Sequence, residues 1–148
     1  MGAPDIFAPP VTDERLKEMD FARWEGLAWD GIARGEIDAW AADPWNFQPG
    51  GGESARQMLQ RWQSFKSDVA RSLESLRQSG CVAHRSINQN EAGSADVAGS
   101  GAHGTPLLVT HAGIIRLALF DAGLLLEEDL WLYKVPHAQP FAVRIQSV

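Results

Sequence analysis

Cysteine occurs once in this sequence, at Cys81. No internal disulfide can form, and nothing suggests an oxidising compartment. Long apolar runs are also missing. The greasiest stretch, residues 112–126, is broken by Arg116 and Asp121, which argues against a membrane-spanning helix. The opening Met-Gly-Ala-Pro-Asp-Ile-Phe has neither a basic cluster nor an apolar run, so no signal peptide is expected. Ile6 stands where a myristoylation signal needs Ser or Thr. Positive charge is scarce: the net charge is −6, which argues against nucleic acid or an anionic membrane as a partner. The expected location is cytoplasmic. An acidic protein can still bind phosphate through a local group of arginines and helix N-termini.

What is present suits a soluble globular domain. Hydrophobic residues make up 45% and charged residues 22% of 148 residues, enough for one domain with a real core. The most informative stretch is Thr110-His111-Ala112-Gly113. It follows the apolar run Pro106-Leu107-Leu108-Val109 and precedes Ile114-Ile115-Arg116-Leu117-Ala118-Leu119. The pattern predicts a buried strand that ends at a histidine, with a helix starting at once. Ligands of open α/β sheets bind at such strand ends. The free N–H groups of the helix favour an anion there, and Gly113 permits close approach of a ligand.

Along the rest of the chain, residues 1–10 read as loop and Val11–Leu16 as a short edge strand leading to Glu18. Asp20–Gly26 reads as a turn. Trp29, Ile32, Ala33, Ile37 and Trp40 have helical spacing. Ser54 and Gln57 form a candidate capping box. The helix it opens should run to about Gln78, with Met58, Leu59, Trp62, Phe65, Val69, Leu73 and Leu76 as its buried stripe. In 80–105, thirteen of 26 residues are Gly, Ala or Ser, a composition that predicts a disordered insertion. Cys81, His84 and His103 fall there with no familiar zinc spacing, so no metal is expected. Leu130–Val135 and Phe141–Gln146 read as two strands joined through Pro136-His137-Ala138-Gln139-Pro140. No internal repeat is visible.

Three blocks, in order, carry a family resemblance. They are Leu16-x-Glu18-Met19-Asp20-Phe21-x-x-Trp24-Glu25-Gly26, then Gly51-Gly52-Glu53-Ser54 opening a long helix, then the Thr-His-Ala-Gly turn. Together they resemble the histidine phosphatase (phosphoglycerate mutase-like) superfamily, and within it the α-ribazole phosphatases, over about residues 11–79 and 106–146. The resemblance implies an α/β fold: a three-layer α/β/α domain with strand order 3-2-4-1-5-6. Family members open with a strand ending in Arg-His-Gly, and no Arg-His-Gly occurs in these 148 residues. The chain therefore reads as a single partial domain, 1–148, truncated at the N-terminus with strands 1 and 2 missing. That truncation would leave open sheet edges and invite self-association.

The implied chemistry is hydrolysis of a phosphomonoester through a phosphohistidine, without cofactor. Such a reaction needs a nucleophilic imidazole, positive groups on the equatorial oxygens, and an acid for the leaving alkoxide. On the resemblance, Glu18 is the acid/base and His111 is the second histidine, which donates to a phosphate oxygen. Gly113, Phe21 and Trp24 are substrate-binding candidates, the two aromatics walling the sugar or base of a nucleotide-like substrate. The bland alternatives are a solvated carboxylate for Glu18, core packing for the aromatics, and a salt bridge for Arg116. Arg15 and Arg23 read as solvated surface residues, and Glu53 and Ser54 as servants of the helix N-terminus. Ala22 stands where the family usually has glycine. The expected function is the later portion of an α-ribazole 5′-phosphate phosphatase, inactive alone for want of its nucleophile. A catalytically inactive phosphate-binding or interaction domain is the alternative, and a mutase of the same superfamily a third.

Overall fold

The computed structural model describes residues 10–78, 106–137, 139–143 and 145. Three α-helices organise them: α1, Arg34–Ala42; α2, Ala55–Gln78; and α3, Ala112–Asp121. Short 3-10 turns at Glu14–Leu16, Ala22–Trp24, Trp29–Gly31, Pro49–Gly51 and Glu127–Asp129 punctuate the connections.

The long helix α2 starts as its sequence dictates. Ser54 N donates to Gln57 Oε1 at 2.8 Å, and Gln57 N donates to Ser54 Oγ at 3.3 Å. This reciprocal pair satisfies donors that a helix start otherwise leaves open. Met58, Trp62 and Phe65 are buried along one face, Leu59 and Val69 pack against them, and the stripe fades at exposed Leu76. That face meets Ile114, Leu117 and Ala118 of α3, together with Met19 and Leu130, to make the core. A polar staple closes the same interface. Asp121 accepts from Trp62 Nε1 at 3.1 Å, Gln63 Nε2 at 3.0 Å and Lys66 Nζ at 2.5 Å.

Helix α3 stops in a Schellman arrangement. Leu124 N donates to Leu119 O at 2.8 Å and Gly123 N to Phe120 O at 2.9 Å, with Gly123 at φ +70°. Only glycine enters that left-handed region without steric cost.

The expected α/β/α sheet is not there: the described residues contain no strand. Each expected strand has its own physical reason. Val11–Leu16 becomes a 3-10 turn at Glu14–Leu16, because the Asp13 side chain accepts from Arg15 N at 2.9 Å and so caps a turn. The carbonyls that a ladder would use go to side chains: Arg15 O accepts from Arg61 Nη1 at 2.6 Å and Leu16 O from Thr110 Oγ1 at 2.6 Å. Leu107–Thr110 keeps the alternation of a strand without its burial. Leu108 and Thr110 turn inward, while Leu107 and Val109 are 71% and 87% exposed. Leu130–Val135 begins as a helical turn, with Leu132 N and Tyr133 N both donating to Asp129 O. The Tyr133 carbonyl is then taken by Arg116 Nε at 2.7 Å. Arg116 is thus a backbone tie, where a salt bridge was expected. Of Phe141–Gln146, the described part is irregular, with Phe141 edge-on to Tyr133 at 6.4 Å.

The helix expected from Trp29 to Trp40 divides into the turn Trp29–Gly31 and α1, separated by Ile32 in an extended conformation. The 80–105 stretch, with Cys81, His84 and His103, lies outside the described residues. Among the described helices none is long and apolar enough to cross a membrane.

Candidate active site

Glu18 follows the 3-10 turn and lies against the start of α3. Its Oε2 accepts from Gly113 N at 3.2 Å, across 95 positions of sequence. Its Oε1 accepts from Met19 N at 3.0 Å. The carboxylate is therefore held by two backbone N–H groups, one of them in the first turn of α3. His111 occupies the N-cap position of α3, with extended backbone (φ −91°, ψ 161°), and its own side chain makes no capping bond. Glu18 supplies the negative group that this helix end favours. His111 itself is exposed, two residues before Gly113.

Gly113 is dictated by this meeting. A Cβ at that position would come within 2.2 Å of Glu18 Oε1 and 2.8 Å of the Met58 methyl. The glycine is thus needed for the approach of the protein's own carboxylate, whatever else approaches it.

Phe21 and Trp24 lie on the loop after Glu18, and the geometry of that loop depends on the glycine run. A Cβ on Gly50 would fall 2.1 Å from the Phe21 carbonyl oxygen, and one on Gly52 2.1 Å from that of Asp20. Glu53 N adds a 2.8 Å bond to Asp20 O. Ala22, at the apex, has φ +42°. Trp24 is buried and donates through Nε1 to Glu36 Oε2 at 2.9 Å. Trp40 collects the aromatic rings around it: Phe21 at 6.0 Å and Trp24 at 5.8 Å meet it edge-on, and Trp29 stacks on it at 6.1 Å. Trp24 thus packs inside this cluster, and half-buried Phe21 caps one side of it.

The arginines near these residues are engaged. Arg15 binds Asp13 and Asp68, both at 2.7 Å, and lies over the Phe65 ring. Arg23 pairs with Glu36 at 2.6 Å. Arg61 had no role in the sequence reading. It forks onto both oxygens of Glu53 at 2.7 and 2.9 Å and reaches Glu18 O at 3.1 Å as well as Arg15 O. Helical spacing was the available signal, since position 61 lies three after Met58 and four before Phe65, on the buried face. A cavity of about 460 Å³ opens beside Glu18, lined also by Glu14, Lys17, Asp20, Glu53 and Arg61. Lys17 pairs with Glu14 and Arg61 with Glu53, so the uncompensated charges there are the carboxylates of Glu18 and Asp20. Among the described residues no group of three or more His, Cys, Asp or Glu could hold a metal ion.

Comparison with known proteins agrees with the signature around Glu18. The model of the histidine phosphatase superfamily (branch 1) matches residues 3–95, more than half of the chain. The chain belongs to that superfamily. The match includes Glu18, Phe21, Trp24, Glu53 and Arg61, and it begins earlier than the motifs near residue 11 suggested; His111 and Gly113 lie beyond it. No curated protein and no solved structure matches.

Proposed function

We propose that this chain carries the acid/base and phosphate-orienting part of a phosphomonoesterase acting on a small substrate of the α-ribazole 5′-phosphate kind. In its protonated form Glu18 gives its proton to the leaving alkoxide, the resulting carboxylate then takes one from the attacking water, and His111 donates to a phosphate oxygen. The observation that carries this reading is the 3.2 Å bond from Gly113 N to Glu18 Oε2, which brings the acid to the turn that bears His111. The phosphate belongs at that turn. At the turn it meets Glu18 and the first-turn N–H groups of α3, whereas in the neighbouring cavity it would face Asp20 as well as Glu18, without a free cation from Lys17 or Arg61. Attack on phosphorus requires a further nucleophile, because both assigned groups only assist.

The test has two arms. Inorganic phosphate titrated into the labelled chain should shift the His111 and Gly113 resonances, and no shift at either would end the reading. Turnover of α-ribazole 5′-phosphate and p-nitrophenyl phosphate should be at least about a thousandfold below that of an intact superfamily member, as for enzymes stripped of a nucleophile. Turnover within about tenfold would require a nucleophile among the residues of this chain. The engagement of Arg15, Arg23 and Arg61 with carboxylates leaves none of the three free to stabilise the equatorial oxygens of a transferring phosphoryl group, which favours the alternative of a phosphate-binding or interaction domain without catalysis. Phosphate shifts without turnover even when an external imidazole nucleophile is supplied would select it.

A further inference from the structure

We infer that Arg61 is the positioning residue for Glu18, acting through the main chain. The inference rests on the reading of Glu18 as the acid/base group. Glu18 sits in no helix or ladder, so its backbone needs another support. Arg61 provides it from α2. Nη1 donates to Arg15 O at 2.6 Å and Nη2 to Glu18 O at 3.1 Å, so one guanidinium spans both ends of the segment 15–18. Thr110 Oγ1 holds Leu16 O between them at 2.6 Å.

The guanidinium is itself fixed. Glu53 takes Nε and Nη2 in a two-pronged pair at 2.7 and 2.9 Å, with both side chains only 18% exposed. Glu53 in turn anchors its own backbone N to Asp20 O. A planar fork can make these bonds together, whereas an ammonium cannot match their directions. The chain of support runs from Glu53 to Arg61, to the Glu18 carbonyl, and ends at the carboxylate on Gly113. Aiming an acid to within a fraction of an ångström is the kind of task such a supporting residue performs.

Amide exchange at Gly113 reads the aim directly, because its N–H is in the first turn of α3 and its partner is Glu18. In the full chain, Arg61→Lys should lower protection of the Gly113 amide about tenfold relative to the Leu117 and Ala118 amides deeper in the same helix. Glu53→Gln should act in the same direction. Asp68→Asn, which loosens the Arg15 end of the segment without touching Arg61, should leave Gly113 protection unchanged. The inference is overturned if Arg61→Lys and Glu53→Gln keep Gly113 protected, or if Asp68→Asn exposes it equally. Should Arg61→Lys fail to fold, Glu53→Gln against Asp68→Asn decides alone. None of these outcomes depends on phosphate binding, so the assignment of Glu18 as acid/base stands or falls separately.

Discussion

Lys66 and Asp121 join the middle of α2 to the last residue of α3 at 2.5 Å, with the Trp62 indole donating to the same carboxylate. This pair secures the packing of α2 on α3 around the core. It also makes the fold sensitive to acid. Burial works against the Asp121 charge, but the hydrogen bonds and charge of Lys66, with Gln63 and Trp62, outweigh it and bring its pKa below the ordinary 3.8.

Acid should therefore unfold the chain gradually. The Arg15 hydrogen bonds hold Asp13 down at about 2, and Arg15 and Arg71 lower Asp68. Groups whose pKa is depressed on folding stabilise above the unfolded value and lose that contribution as pH falls through the folded one. The midpoint of thermal unfolding should be level above about pH 5 and fall steadily from about pH 4 towards pH 2. Asp121→Asn should flatten part of this fall. The half-buried Asp13 and Asp68 should contribute less than Asp121, because solvent screens them more.

Ala22→Gly should stabilise the protein. At φ +42° the alanine side chain is strained, by about 1–2 kcal/mol for the left-handed region. Glycine removes that strain at an entropic cost of about 0.5–1 kcal/mol, so the net gain should be roughly 0.5–1 kcal/mol. Urea unfolding checks this, and a loss of stability would mean that the loop is not held in this conformation.

Gly50→Ala should do the reverse, and by more than Gly51→Ala. Both positions have positive φ, but only at Gly50 does the added Cβ meet backbone, the Phe21 carbonyl oxygen and Trp24 N. Strain alone costs about 1–2 kcal/mol at each, and the overlap at Gly50 adds about 1–3 kcal/mol. Equal costs in urea titrations would contradict this packing of the glycine run on the Glu18 loop.

The sequence made local features plain and distant ones opaque. Ser54, Gln57 and the spacing of Met58, Trp62 and Phe65 are a few residues apart, so the start and inner face of α2 could be read directly. Leu107, Leu108 and Val109 looked like a buried strand because an apolar run has the same appearance whether or not a partner strand lies beside it. In the segment 15–18, likewise read as part of a strand and its exit, the partners actually used are side chains, Arg61 and Thr110, and no run of letters announces them. The same holds for the site. The motif around Glu18 and the turn at His111 were each visible, whereas the contact between Glu18 and Gly113 and the support from Arg61 exist only once α2 and α3 pack. Trp24 was open between pocket wall and core; it is buried in the aromatic cluster around Trp40, with its indole donating to Glu36.

Gly113→Ala should separate these roles. The added methyl would overlap the end of the Glu18 side chain and the Met58 methyl, both of which can swing aside. Global stability should fall by only about 1–2 kcal/mol, while the Gly113-position amide loses its protection and phosphate shifts at His111 weaken. A variant that keeps both would show that Glu18 does not need this approach.

Helix α2 carries its own start signal, since Ser54 and Gln57 serve each other within one turn. Helix α3 borrows its signal from Glu18, 95 positions upstream. The two helices therefore differ in when they can become stable as the chain folds. The first can be nucleated by its own residues, whereas the second must wait for a large loop to close and for α2 to hold the segment 15–18 in place. The turn that bears His111 should thus become ordered only after most of the molecule has assembled around it.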